Sequence, residues 1–160
     1  MLLAVGRRTA AEEKGAACEP DGTLRVAVRL QPPPGEGLAG VKVVLGYPKS
    51  VNIPGFESQP DVRARVTETP DGFFMAPNDT DRELIVAIAG TTALPAGQIF
   101  TVDFDRCRGT PGVPPSTFAC TVEQASTVRG VLVEGAKCIA QIAKGASSLA
   151  TPRKRGGKSR

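Results

Sequence analysis

The side chains able to do chemistry in this chain are few, and the missing ones narrow the field first. Histidine is absent from all 160 residues. General acid–base work near neutral pH rests most often on histidine, so Ser–His triads and histidine shuttles are excluded. Acidic residues remain: Asp71, Asp79, Asp81 and Glu83 cluster in sequence, and Asp103 and Asp105 fall on one face of an alternating segment. Carboxylates at such turns are ordinarily solvated or satisfy turn amides, and paired-carboxylate catalysis is not expected. Asn78-Asp79-Thr80-Asp81 offers hard oxygen ligands for calcium without the full loop pattern of a dedicated site, and no metal is expected. The glycines form no phosphate loop of the Gly-x-x-x-x-Gly-Lys type. The residues thus point to a protein that binds without catalysing and needs no cofactor.

Four cysteines stand at Cys18, Cys107, Cys120 and Cys138. They contain no CxxC pair, and without histidine they do not make a zinc pattern, whose ligands come in close pairs on turns. An even count reads as two disulfides and hence an oxidising compartment; the alternative is four buried free thiols. An extracellular or cell-envelope location follows from the first reading. The opening Met1-Leu2-Leu3-Ala4-Val5 is too short for the core of a signal peptide, roughly seven residues, and reads as the remnant of a longer leader.

The formal charge of +4 sits at one end. From Lys144 onward there are six basic residues (Lys144, Arg153, Lys154, Arg155, Lys158, Arg160) and no acidic one, which leaves fourteen basic against sixteen acidic residues in the rest. The body is therefore close to neutral. A Gly/Ser/Pro-spaced basic tail is not the basic face that steers a domain onto phosphates, so nucleic acid is not the expected partner. No apolar run approaches the roughly 18 to 20 residues of a membrane helix. The chain divides into an N-terminal arm or leader remnant (1–17), one folded domain (18–143) and a basic tail (144–160).

Period-two alternation dominates the middle. Leu24, Val26, Val28 and Leu30 alternate with Arg25, Ala27 and Arg29, which is a half-buried strand. Pro32-Pro33-Pro34-Gly35 then breaks the sheet. Further strand patterns follow at 41–47, 50–53, 72–75, 83–89, 98–104, 117–123 and 136–140, each preceded by turn residues. Eight or nine short strands among 14 prolines and 18 glycines predict an all-β, two-sheet antiparallel sandwich of jelly-roll type, with little support for helix.

The order of these segments resembles the cohesin domain, within the group of cohesin and carbohydrate-binding jelly rolls. The resemblance spans residues 18 to about 142. It rests on Leu38-Ala39-Gly40-Val41-Lys42-Val43-Val44-Leu45-Gly46-Tyr47-Pro48, similar to the family's alternating strand ending in Tyr-Asp-Pro, though the Asp is missing here. It rests also on Arg82-Glu83-Leu84-Ile85-Val86-Ala87-Ile88-Ala89-Gly90 followed by Leu94-Pro95-Ala96-Gly97-Gln98-Ile99-Phe100-Thr101-Val102-Asp103-Phe104, like the family's hydrophobic strand and Gly-led strand ending in Phe. Four cysteines are not a general cohesin feature. The resemblance implies nine strands with the first and last side by side, so that Cys18 would face Cys138, leaving Cys107 and Cys120 to flank the loop between them.

The outward-reading positions of the strands differ between the two expected sheets. One sheet would show Arg25, Arg29, Thr101, Asp103, Lys137 and Gln141 to solvent. The other would show Val44, Ile85, Ala87, Ala89, Ala119 and Thr121, a flat apolar face, and in the cohesin resemblance this is the sheet that receives the dockerin partner. The expected function is protein docking on that face, in the context of polysaccharide-degrading assemblies by resemblance. Two alternatives stand beside it. One is direct carbohydrate binding, favoured if Tyr47, Phe73 and Phe74 line one exposed surface. The other is a structural cell-envelope domain held by the basic tail.

Overall fold

The computed structural model describes residues 18–35, 37–54 and 59–143. The expected arm 1–17 and basic tail 144–160 lie outside the described residues. Among the described residues nine strands occur in order: β1 (Pro20–Gln31), β2 (Leu38–Gly46), β3 (Val51–Asn52), β4 (Val66–Thr67), β5 (Phe74–Asp79), β6 (Glu83–Ala89), β7 (Gly97–Cys107), β8 (Ala119–Thr127) and β9 (Lys137–Ile142). Among the described residues a single α-helix, α1 (Gln59–Arg65), lies between β3 and β4.

All pairings are antiparallel, and they form two sheets. In the five-stranded sheet the order is β3-β7-β1-β9, with β4 also on β7; in the four-stranded sheet it is β5-β6-β2-β8. The all-β sandwich expected from the alternation is therefore what the chain builds. The partition of strands between sheets also agrees, with residues 24–30, 98–104 and 137–142 in one and 41–46, 83–89 and 119–123 in the other.

The alternation explains the packing. Val26, Val28 and Leu30 from β1, Val41, Val43 and Leu45 from β2, Leu84, Val86 and Ile88 from β6, and Phe100, Val102 and Phe104 from β7 meet between the sheets and are buried. Phe104 lies between Tyr47 and Phe118, with ring centroids 5.1 and 5.4 Å away and tilted planes, the arrangement aromatic quadrupoles favour. The Phe residues expected to point inward, Phe100, Phe104 and Phe118, all do.

Each open side of the sandwich is closed by a different device. On one side the edge strands β8 and β9 are joined across the layers by the disulfide Cys120–Cys138. On the other, α1 packs against β5, β4 and β7 and drives Val62 into the core. This helix is a departure from the sequence expectation. Of residues 61–65 only Val62 is buried, so the helix leaves no 3.6-residue period to detect. Its ends do carry helix punctuation: Asp61 in the first turn, Arg63 and Arg65 in the last, each favoured by the helix dipole.

All four cysteines are in disulfides, but the pairing implied by the cohesin resemblance is corrected. The bridges are Cys18–Cys107, with Cα atoms 4.9 Å apart, and Cys120–Cys138, with Cα atoms 5.6 Å apart. β1 and β9 are indeed neighbours, as that resemblance required. Their antiparallel register, however, sets Cys138 opposite Leu30, twelve residues along the strand from Cys18. At about 3.3 Å per residue that is roughly 40 Å, far beyond a disulfide's reach. The β1–β7 register instead places Pro20 opposite Cys107, which brings Cys18 to it.

Candidate interaction face

The outer face of the four-stranded sheet is assembled by register. Val44 of β2 is flanked by Ile85 of β6 and Thr121 of β8; Lys42 lies beside Ala87, Gly40 beside Ala89, and Gly46 beside Ala119. The structure thus brings Val44, Ile85, Ala87, Ala89, Ala119 and Thr121 onto one surface. Val44 and Ile85 are half-buried by their neighbours, and the other four are exposed. Their partners one position along each strand, Val43, Leu45, Leu84, Val86 and Ile88, point into the core.

Outward side chains of β5, which the strand pattern does not assign to this face, complete it. β5 adds Phe74 opposite Ala89, Ala76 opposite Ala87 and Asn78 opposite Ile85. Phe74 is 63% exposed, with the Arg63 guanidinium 5.8 Å from its ring centroid. The doublet Phe73-Phe74 hides this in the sequence, because two adjacent aromatics do not reveal which one faces out. Phe73 packs against the core, and its ring occupies the space that a β-carbon at residue 90 would need, so Gly90 makes room for it. Toward the β8 edge the face carries the ion pair Lys42 Nζ–Glu123 Oε2 at 2.7 Å. Glu123 is the extra residue of a β-bulge, since Lys42 pairs with Gln124 and Val43 with Val122.

The outer face of the five-stranded sheet is the opposite in character. Arg25 donates Nε and Nη2 to the two carboxylate oxygens of Asp103 at 2.7 and 2.9 Å. Its own pKa is raised, first by that hydrogen bond and then by the Asp103 charge. Arg65 donates to Asp105 at 2.8 Å, Gln98 to Glu68 at 2.8 Å, and the hydroxyls of Thr67 and Thr101 are 3.0 Å apart. The carboxylates that shared a strand face in the sequence are each held by an arginine, which fixes them as strand-to-strand ties.

Of the remaining acidic candidates, Asp71, Asp81 and Glu83 are exposed, and Asp79 is tied into the fold. Asp79 is buried at the end of β5 and accepts a 2.8 Å hydrogen bond from the Tyr47 hydroxyl. Burial pushes its pKa up, partly offset by that hydrogen bond and by the Arg82 charge. Burial, with the Asp79 hydrogen bond, also raises the Tyr47 phenol well above its usual range. Among the described residues no group of three or more acidic or cysteine side chains is arranged to hold a metal ion. Tyr47 is 7% exposed and Phe73 is packed inward, so Tyr47, Phe73 and Phe74 do not share an exposed surface.

Comparisons with protein-family models, with characterised proteins and with solved structures gave no match.

Proposed function

We propose that the domain is a non-catalytic protein-docking module, and that its partner, dockerin-like by the resemblance of its strand motifs to cohesin, seats on the outer face of the four-stranded sheet. The supporting observation is the contrast between the two outer faces. One is tied up in ion pairs and hydrogen bonds; the other offers Val44, Ile85, Ala76, Ala87 and Ala89 with one exposed aromatic, Phe74, at its margin. Small side chains on a pleated surface let another backbone approach closely, and an exposed aromatic at the edge is the residue type that most often anchors such contacts. The two disulfides fit an extracellular protein, and no helix among the described residues is long and apolar enough to cross a membrane. Work in polysaccharide-degrading assemblies at the cell envelope is the setting the resemblance suggests.

The test is titration calorimetry against a panel of dockerin domains with wild type, Val44→Asp, Ile85→Asp and, as a control on the other sheet, Arg25→Ala. Binding that falls at least about tenfold in the two face variants and is kept in the control supports the reading, since a buried unpaired charge at an interface centre costs several kcal/mol. Binding lost equally in all three, or no binding to any dockerin, overturns it. Direct sugar binding is not favoured, because the aromatic rings needed for stacking do not come together.

A further inference from the structure

We infer that the loop joining β7 to β8 is a docking epitope for a protein domain that grips extended proline segments in a groove of aromatic side chains with an acidic residue beside it. The loop holds three prolines in five residues, Pro111-Gly112-Val113-Pro114-Pro115, and all three are exposed. From Thr110 to Pro114 the backbone is neither helix nor strand. Pro114 takes φ −72° and ψ 147°, which is polyproline II geometry. Ring closure fixes φ near −65° at Pro111, and the prolines that follow Thr110 and Val113 push both toward extended backbone. A polyproline II helix has three residues per turn, so Pro111 and Pro114 stand one turn apart on the same edge.

The fold holds this segment in place. Val113 packs against the core while Pro111 and Pro114 face solvent. At the start, the Thr110 hydroxyl donates to Cys107 O at 2.6 Å. At the end, the Thr117 amide and hydroxyl donate to Pro114 O at 3.1 and 2.7 Å and close the 3₁₀ turn Pro115–Thr117. The flanking cysteines are each in a bridge, Cys107 to Cys18 and Cys120 to Cys138. A segment already fixed in the conformation that a partner binds gives up little chain entropy on binding. The other proline run, Pro32-Pro33-Pro34, does not meet the same requirement. It spans a single turn, so no two of its prolines share an edge, and Pro33 is half-buried.

Chemistry names the kind of partner. Proline rings in this helix are apolar and preformed, and aromatic-lined grooves are the surfaces that take them. A proline edge looks much alike from either end, so direction must come from charge. Residues 109–122 carry none, and Arg108 stands at the N-terminal end of the run. Its Nη1 pairs with Glu19 Oε1 at 3.0 Å, but the two side chains are 63% and 66% exposed, and an ion pair that open to solvent contributes little. Arg108 can therefore exchange Glu19 for a carboxylate on the partner, which places the partner's acidic residue at the Pro111 end of the groove.

The experiment is titration calorimetry of the full chain, disulfides intact, against isolated SH3, WW and EVH1 domains as probes of that groove chemistry. Saturable binding to at least one of them is expected, weaker at higher salt. Pro111→Ala with Pro114→Ala should weaken it at least about tenfold, and Arg108→Glu should weaken it and remove most of the salt dependence. Pro32→Ala with Pro34→Ala should leave it unchanged, and so should Ile85→Asp, which keeps this epitope apart from the sheet face. Unchanged circular dichroism melts show that the variants fold, and a synthetic peptide of residues 108–117, with and without the two alanines, measures the epitope independently of the fold. No binding to any probe, binding indifferent to the Pro111 and Pro114 changes, or equal loss in Ile85→Asp overturns the inference. Binding by the peptide but not by the chain also overturns it, because the fold would then hide the proline edge.

Discussion

Arg82 shows how one side chain can hold a backbone conformation that its own type disfavours. It sits at φ 64° in the β5–β6 turn, a region usually left to glycine or asparagine. Its guanidinium donates to Val51 O at 2.9 Å and lies 5.8 Å from the centroid of the Tyr47 ring, so the side chain ties β6 to the β2–β3 corner. Arg82→Ala keeps the unfavourable φ and loses those contacts, and should destabilise the domain by about 1–3 kcal/mol in urea titration. Arg82→Gly, free of the backbone penalty, should cost less. Asp79 behaves differently because its folded pKa is raised above the unfolded value. Its contribution to stability is complete below the unfolded pKa, near 3.8, and is lost as pH rises through the folded pKa. Asp79→Asn, which can still accept the Tyr47 hydrogen bond, should therefore gain stability over wild type as pH rises from 4 to 7, with no gain at pH 3 to 4. Thermal melts across that range give the sign directly; a gain confined to acid pH would contradict it.

Strand β9 is the element held least by its own burial. Its residues alternate between exposed and half-buried, with none in the fully buried set, so pairing with β1 and the Cys120–Cys138 bridge do most of the holding. The bridge closes a segment of sequence separation 18, for which the chain-entropy estimate is about 3 kcal/mol. Cys120→Ala with Cys138→Ala should lower stability by about that much, and hydrogen exchange should show β9 amides losing protection before those of β1. At this scale the sequence was readable where burial is one-sided. The alternation in β1, β2 and β6 fixes which side chains face the core, because a one-residue slip would turn Val26, Val28 and Leu30 to solvent. It was unreadable where a single residue carries the packing, as with Val62 in α1, or where a bulge shifts the register, as at Glu123. The disulfide pairing lay beyond it for another reason: neighbouring strands do not fix which of their ends meet, and the antiparallel run of β9 along β1 sends Cys138 to the far end from Cys18.

For the molecule as a whole, the two bridges divide the chain in a way that matters under tension. Cys18–Cys107 short-circuits a span of 89 residues and Cys120–Cys138 one of 18, and the spans follow one another without overlap. A pull between Cys18 and Cys138 is carried through sulfur across both spans, so within that segment only the stretch from Cys107 to Cys120 can pay out. That stretch gives about 45 Å of contour at ~3.5 Å per residue, whereas the reduced chain between Cys18 and Cys138 would release roughly 420 Å. Force spectroscopy should record a short rupture in the oxidised protein and a roughly ninefold longer one after reduction. A domain built this way behaves as a nearly inextensible link: a load entering at one end reaches whatever is attached at the other while both sheets stay folded.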